Sequence, residues 1–171
     1  MRIFLIGFMG SGKSHVGKRL APKMNCEFLD LDHHIEEVAG KSISSIFKED
    51  GEAYFRQLES ASLKSLGAKE NLIISTGGGT PCFFDNMKWM NQHGRTVFLD
   101  VATSILVHRL LPRTAHRPLL ANKSPEELAN FIEEKLAARR KDYEQCEIIL
   151  AQEEIQMDRV SILIELLGNN V

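Results

Sequence analysis

Five short apolar runs punctuate the chain: RIFLI at 2–6, EFLD at 27–30, LIIST at 72–76, RTVFLDV at 95–101 and CEIIL at 146–150. They are rich in Ile, Leu, Val and Phe and mostly do not alternate with polar residues, as expected of strands covered on both faces. Helical patterns lie between them. Lys13 to Met24 follows the first run, with Pro22 expected to kink or end that helix. Ser124-Pro125-Glu126-Glu127 combines an N-cap residue, proline at the first helical position and early acids, a strong helix start. Strand and helix in alternation build a parallel sheet with right-handed crossovers. The predicted fold is therefore α/β: one domain over residues 1–171, three layers α/β/α, with a five-stranded parallel sheet.

Composition narrows the function classes. With 43% hydrophobic and 26% charged residues and a net charge of −2, the chain offers no sign of a nucleic-acid or anionic-membrane surface. No apolar run approaches the length of a membrane span, and the first run leads into GSGKS rather than a cleavage site, so a cytoplasmic protein is expected. Cys26, Cys82 and Cys146 form no CxxC or Cys/His pattern; they read as small buried hydrophobes of a reducing compartment.

The sharpest chemical signal is GFMGSGKS, Gly7 to Ser14, which satisfies G-x-x-x-x-G-K-[ST] between a predicted strand and a predicted helix. In such a loop, backbone N–H groups at Gly10, Ser11, Gly12 and onward to His15 converge on phosphate oxygens. The helix N-terminus adds partial positive charge, Lys13 reaches the β- and γ-phosphates, and the Ser14 hydroxyl can ligate Mg²⁺.

Two carboxylates, Asp30 and Asp32, end the second predicted strand. If extended geometry holds through Leu31, both project to one face. They would repel unless a cation or donor stands nearby, and ligands of open α/β sheets sit at such strand ends. One could serve a Mg²⁺ shell and the other the phosphate acceptor; equally, Asp32 could simply cap the helix that begins HHIEEVAG.

STGGGTP at 75–81 ends the third strand, where three consecutive glycines suggest close approach of backbone to a ligand rather than a loose loop. RTAHRPLL at 113–120 is basic, and Arg117 there is placed like arginines that neutralise transferring phosphate, or is a solvated surface residue. Leu128, Ile132, Leu136, Arg139 and Tyr143 share one helical stripe, so Arg139 faces inward while Arg140 and Lys141 turn away. An inward guanidinium wants a substrate carboxylate or phosphate, or an acidic partner within the protein.

The ordered set GFMGSGKS, FLDLD, FKEDGEAYFRQLE, STGGG, RPLL and RKDY resembles the shikimate kinase family, among the nucleoside-monophosphate-kinase-like P-loop NTPases. That resemblance implies ATP-dependent phosphorylation of the 3-hydroxyl of shikimate by a monomer. It implies Mg²⁺ at Ser14 with Asp30 in support, and Asp32 at the acceptor hydroxyl as orienter or base. Arg56 and Arg139 would clamp the substrate carboxylate with the backbone of Gly77, Gly78 and Gly79, and Arg117 would reach ATP from a lid at about 110–123. The substrate-binding region would span about 32–61.

The chain departs from the family at His15, where Thr is common, and in a short lid that leaves Arg109 or Arg113 as candidates beside adenine. The adjacent His33 and His34 lack the spacing of paired metal ligands on a helix. Rival readings are a gluconate-type kinase, which has no need of two arginines for one carboxylate, and a non-catalytic nucleotide binder, which would be expected to lack Lys13, Ser14 or Asp32.

Overall fold

Successive residues of the central strands enter two different cores. In β1 (Arg2–Ile6), Phe4 and Ile6 pack on one side and Ile3 and Leu5 on the other, all fully buried. β3 (Leu72–Ser75) divides Leu72 and Ile74 from Ile73, and β4 (Arg95–Val101) divides Phe98 from Val97 and Leu99. Both faces are covered, so the runs read as continuously apolar. These elements come from a computed structural model that describes residues 1–112, 123–153 and 158–168.

With β2 (Glu27–Asp30) and β5 (Ile148–Gln152) the sheet has five strands in the order β2-β3-β1-β4-β5, every neighbouring pair parallel. Helices α1 (Lys13–Leu20) and α8 (Arg159–Gly168) close the core built on Ile3 and Leu5, through Val16, Leu20, Val160, Leu163 and Leu167. The opposite core is covered by α2 (Leu31–Ala39), α3 (Ile43–Glu49), α4 (Gly51–Ser65), α5 (Asn86–His93), α6 (Thr103–Leu110) and α7 (Pro125–Tyr143). This is the expected three-layer α/β/α arrangement.

Local sequence explains the element boundaries. α1 stops at Leu20, and Pro22 sits in the 3₁₀ turn Ala21–Met24 that follows, as its missing N–H requires. A side chain on Gly17 would place a Cβ 2.4 Å from the Phe28 ring, so the glycine lets α1 lie close on β2. At α7, Ser124 and Glu127 form the full reciprocal capping box. The fifth strand starts two residues later than the apolar run and the third ends one residue earlier. The offset in β5 has a cause: Cys146 N–H closes a turn on Tyr143 O, and Glu147 is held to β4 by Thr96 Oγ1 and by Arg95. As an edge strand β5 also alternates, with Ile149 exposed and Leu150 buried, unlike the fully covered strand expected.

From β1 the chain crosses over β3 to reach β2, and from β3 it crosses β1 to reach β4. The two crossovers leave the neighbouring ends of β1 and β3 in opposite directions. That divergence opens a crevice at the carboxyl ends of the strands, where ligands of such sheets bind.

Candidate active site

The loop from β1 to α1 is shaped by glycines at positive φ: Gly7 at 141°, Gly10 at 81° and Gly12 at 89°. Gly12 is the N-cap of α1 and offers no side chain, so the first turn of N–H groups stays open to a ligand. Lys13 is 9% exposed, and its Nζ donates to Gly7 O at 2.7 Å and Phe8 O at 3.1 Å. The loop thus keeps its cation folded over its own carbonyls. Ser14 Oγ donates to Asp30 Oδ2 at 2.6 Å and lies 3.1 Å from Ser75 Oγ. This cluster is all oxygen, with one carboxylate. No group of three or more His, Cys, Asp or Glu capable of caging a metal exists among the described residues. A hard ion that keeps waters and phosphate oxygens in its shell, as Mg²⁺ does, fits such a donor set.

The acidic pair is split by a change of secondary structure. Extended backbone does not continue through Leu31; the strand ends at Asp30, and Leu31 is the first residue of α2. Asp30 is the N-cap, accepting from Asp32 N–H at 3.2 Å through Oδ1 while Oδ2 accepts from Ser14. The two side chains therefore do not share a strand face, and the cap is Asp30 rather than Asp32. No described residue donates to the Asp32 carboxylate. Asp32 opens onto the crevice, yet the surrounding walls, and after them the charges of Asp30 and Glu59, push its carboxyl up to about 6; Lys13 pulls in the opposite direction. Water still reaches the group and screens those charges.

Beside Asp32 runs the glycine triplet, and each glycine makes room for a different group. A Cβ on Gly77 would lie 3.0 Å from Asp32 Oδ1 and 2.9 Å from Glu59 Oε1. On Gly78 it would lie 3.3 Å from an Arg139 guanidinium nitrogen, and on Gly79 2.7 Å from one of Arg56. Three residues without side chains thus draw α2, α4 and α7 against one loop. The loop is anchored behind: Thr80 Oγ1 donates to Glu59 Oε1 at 2.5 Å, and Asn86 Nδ2 donates to Thr80 O at 3.0 Å. Tyr143, fully buried, donates its hydroxyl to Gly78 O, and burial pushes its ionisation up to about 12.

The two arginines are held differently. Arg56 donates to Glu59 at 2.8 Å and to Glu52 at 3.2 Å, and its guanidinium stacks 4.1 Å from the centre of the Phe83 ring. Arg139 is half-buried, lies 5.7 Å from the Phe8 ring centre, and has no carboxylate within 4.0 Å among the described residues. An internal ion pair, the alternative for Arg139, is absent there. Arg140 does leave the apolar stripe, but it does not face only solvent: both its terminal nitrogens grip Asp100 at the end of β4, at 2.9 and 3.0 Å, which fixes α7 to the sheet.

Lys13, Ser14, His15, Asp30, Asp32, Ser75, Gly77 and Gly78 line one cleft of about 690 Å³. The family model for shikimate kinase matches residues 9–166. The chain belongs to the shikimate kinase family. The shikimate kinase of Phocaeicola vulgatus is 48% identical over 158 residues, covering 92% of this chain and 90% of that one. The crystal structure of shikimate kinase from Bacteroides thetaiotaomicron superposes with a TM-score of 0.91 at 44% identity, covering 98% of each chain. That of the Acinetobacter baumannii shikimate kinase in complex with shikimate gives 0.84 at 32% identity, covering 99% of this chain and 94% of that one.

Within this family frame, Arg159 is a cleft residue that carried no recognisable signal in the sequence, and Arg109 entered only as one of two candidates beside adenine. Arg109 donates to Gly10 O at 3.2 Å and to Gln152 Oε1 at 3.1 Å, and Arg159, 7% exposed, donates to Ser11 O. Both arise where helices α6 and α8 meet the phosphate loop, a juxtaposition no local motif encodes. Glu59 ends the stretch FKEDGEAYFRQLE, and its burial at 1% marks it as the anchor of Arg56. The three cysteines are half-buried rather than fully buried, and all are free. His33 is exposed beside Glu37 at 3.4 Å. Arg113, Arg117 and the RPLL motif lie outside the described residues.

Proposed function

We propose that this chain transfers the γ-phosphate of ATP to the 3-hydroxyl of shikimate, giving shikimate 3-phosphate and ADP. The reading rests on one observation above all: Gly77, Gly78 and Gly79 bring an open carboxylate and two guanidiniums to the edge of a phosphate-binding loop. An acceptor with a carboxylate at one end and a hydroxyl at the other matches that order of charges.

In the step itself, the acceptor oxygen bonds to the γ-phosphorus as the bond from phosphorus to the β-bridging oxygen breaks. Asp32 accepts the hydrogen bond of the attacking hydroxyl, orienting it or taking its proton; above pH of about 6 its carboxylate is in the accepting form. Lys13, already folded over the loop, exchanges its carbonyl partners for phosphate oxygens, and loop N–H groups from Gly10 to His15 hold the rest. Mg²⁺, bound through Ser14 with Asp30 in support, would neutralise charge shared by the β- and γ-phosphates. Arg56 and Arg139 hold the acceptor carboxylate, so positioning and charge neutralisation carry the chemistry without a covalent nucleophile. We assign the acceptor to the region about 32–61 and, following the family resemblance, Arg117 to a lid at about 110–123. Following the same family resemblance, a cytoplasmic monomer is the working form we propose.

ADP release measured with shikimate, gluconate and nucleoside monophosphates tests this reading. Turnover with shikimate alone is expected; equal or faster turnover with gluconate would overturn it.

A further inference from the structure

Ser11 carries an unusual load for a loop residue. Its carbonyl oxygen accepts from Arg159 at 2.5 Å and from Arg109 at 3.4 Å, so two guanidiniums share one neutral acceptor. Its own hydroxyl, fully buried, has no partner among the described residues. The Arg159 guanidinium lies directly against the loop, occupying the space where a Cβ on Gly12 would sit 2.6 Å from its terminal nitrogen. Neither arginine has a carboxylate within 4.0 Å among the described residues, although 23 Asp and Glu residues are available in the chain. Burial and the neighbouring Arg109 charge push Arg159 down to about 10, the mark of a cation held where it lacks a counter-charge. Both arginines line the same cleft as Lys13 and Ser14.

Like charges crowded onto a carbonyl oxygen are poorly served, because a charged acceptor gives hydrogen bonds about twice as strong. Resting on the kinase reading above, we propose that Arg159 is a nucleotide-binding residue, placed by the start of α8 at the rim of the phosphate loop to receive a phosphate oxygen of ATP and ADP. Ser11 O is its resting partner. The residue acts on nucleotide affinity and stands apart from the acceptor end, where Arg56 and Arg139 lie.

Two variants separate charge from bracing. Arg159→Gln keeps an N–H donor for Ser11 O and removes the charge; Arg159→Lys keeps the charge. Calorimetric titration of the whole protein with ADP should show Arg159→Gln binding about 10- to 100-fold more weakly, the loss of one charge-assisted hydrogen bond. Arg159→Lys should recover at least part of that loss. The KM for ATP should follow the same order while the KM for shikimate stays within about twofold, and the salt dependence of ADP binding should flatten in Arg159→Gln. ADP affinity within about twofold of the parent in a folded Arg159→Gln protein would overturn the proposal. So would an Arg159→Lys protein that regains Tm but no ADP affinity, which would mark a brace of the loop alone. ADP titration needs no acceptor, so failure here is distinct from an unaltered protein that releases no ADP with shikimate.

Discussion

The nucleotide end and the acceptor end of the cleft are built on opposite plans. At the nucleotide end a contiguous stretch, Gly7 to Ser14, supplies the loop itself, with Lys13 folded onto the Gly7 and Phe8 carbonyls, and α6 and α8 set Arg109 and Arg159 against it. At the proposed acceptor end no stretch is contiguous: Asp32 comes from α2, Arg56 from α4 and Arg139 from α7, and each lies against a different glycine of one triplet, where a Cβ would crowd it. A phosphate cradle repeats the same backbone chemistry for every nucleotide, so local sequence suffices for the loop itself. An acceptor site must fit one molecule, and its precision comes from elements far apart in the chain. The nucleotide end should therefore tolerate changes in α2, α4 and α7, while the acceptor end should fail selectively.

The largest effect is expected where the two ends meet. Asp32→Asn should lower kcat about 10²- to 10⁴-fold, the range of a lost general base or orienter, with ADP affinity within about threefold. An unchanged kcat in a steady-state assay would take Asp32 out of the chemistry. Next comes Gly79→Ala, whose Cβ would meet the Arg56 guanidinium at 2.7 Å. Displacing that group should raise the KM for shikimate about 10-fold or more and leave the KM for ATP alone. Equal changes in both constants would mean the loop supports the whole cleft rather than its acceptor end.

The Asp32 environment predicts two pH effects. Its carboxyl is raised from 3.8 to about 6, so kcat should fall as pH drops through 6. For stability the sign runs the other way. The folded protein holds a proton the unfolded chain has released between pH of about 4 and 6, so folding is weakened as pH rises through that window. Asp32→Asn should accordingly raise Tm at pH 8 by roughly 1–4 °C, a gain that shrinks toward pH 4. Thermal melts at the two pH values decide it. The smallest effect lies far from the chemistry: Ser124→Ala removes one half of the α7 capping box and should cost about 1 kcal/mol in denaturant titration.

Much of the fold was legible because its signals are local. Two-sided burial gave the strands, Pro22 ended α1, and Ser124-Pro125 opened α7. The phosphate loop was legible for the same reason. What escaped depended on the exact residue at which extended backbone becomes helix: one position decides whether Asp30 or Asp32 caps α2, and either reading fits the string FLDLD. Pairings across the fold escaped too. The Arg140 grip on Asp100 and the approach of Arg159 to Ser11 join residues 40 and 148 positions apart, and nothing in the flanking sequence announces a partner at that distance.

The central claim is that Arg139, lacking a carboxylate of its own among the described residues, is kept for the carboxylate of the acceptor. The most direct test compares kcat/KM for shikimate and for its primary amide, in the unaltered protein and in Arg139→Ala. The account predicts that the unaltered protein prefers the acid by about 10- to 100-fold and that Arg139→Ala shrinks the preference to about threefold or less. An acid preference that survives Arg139→Ala undiminished would contradict it.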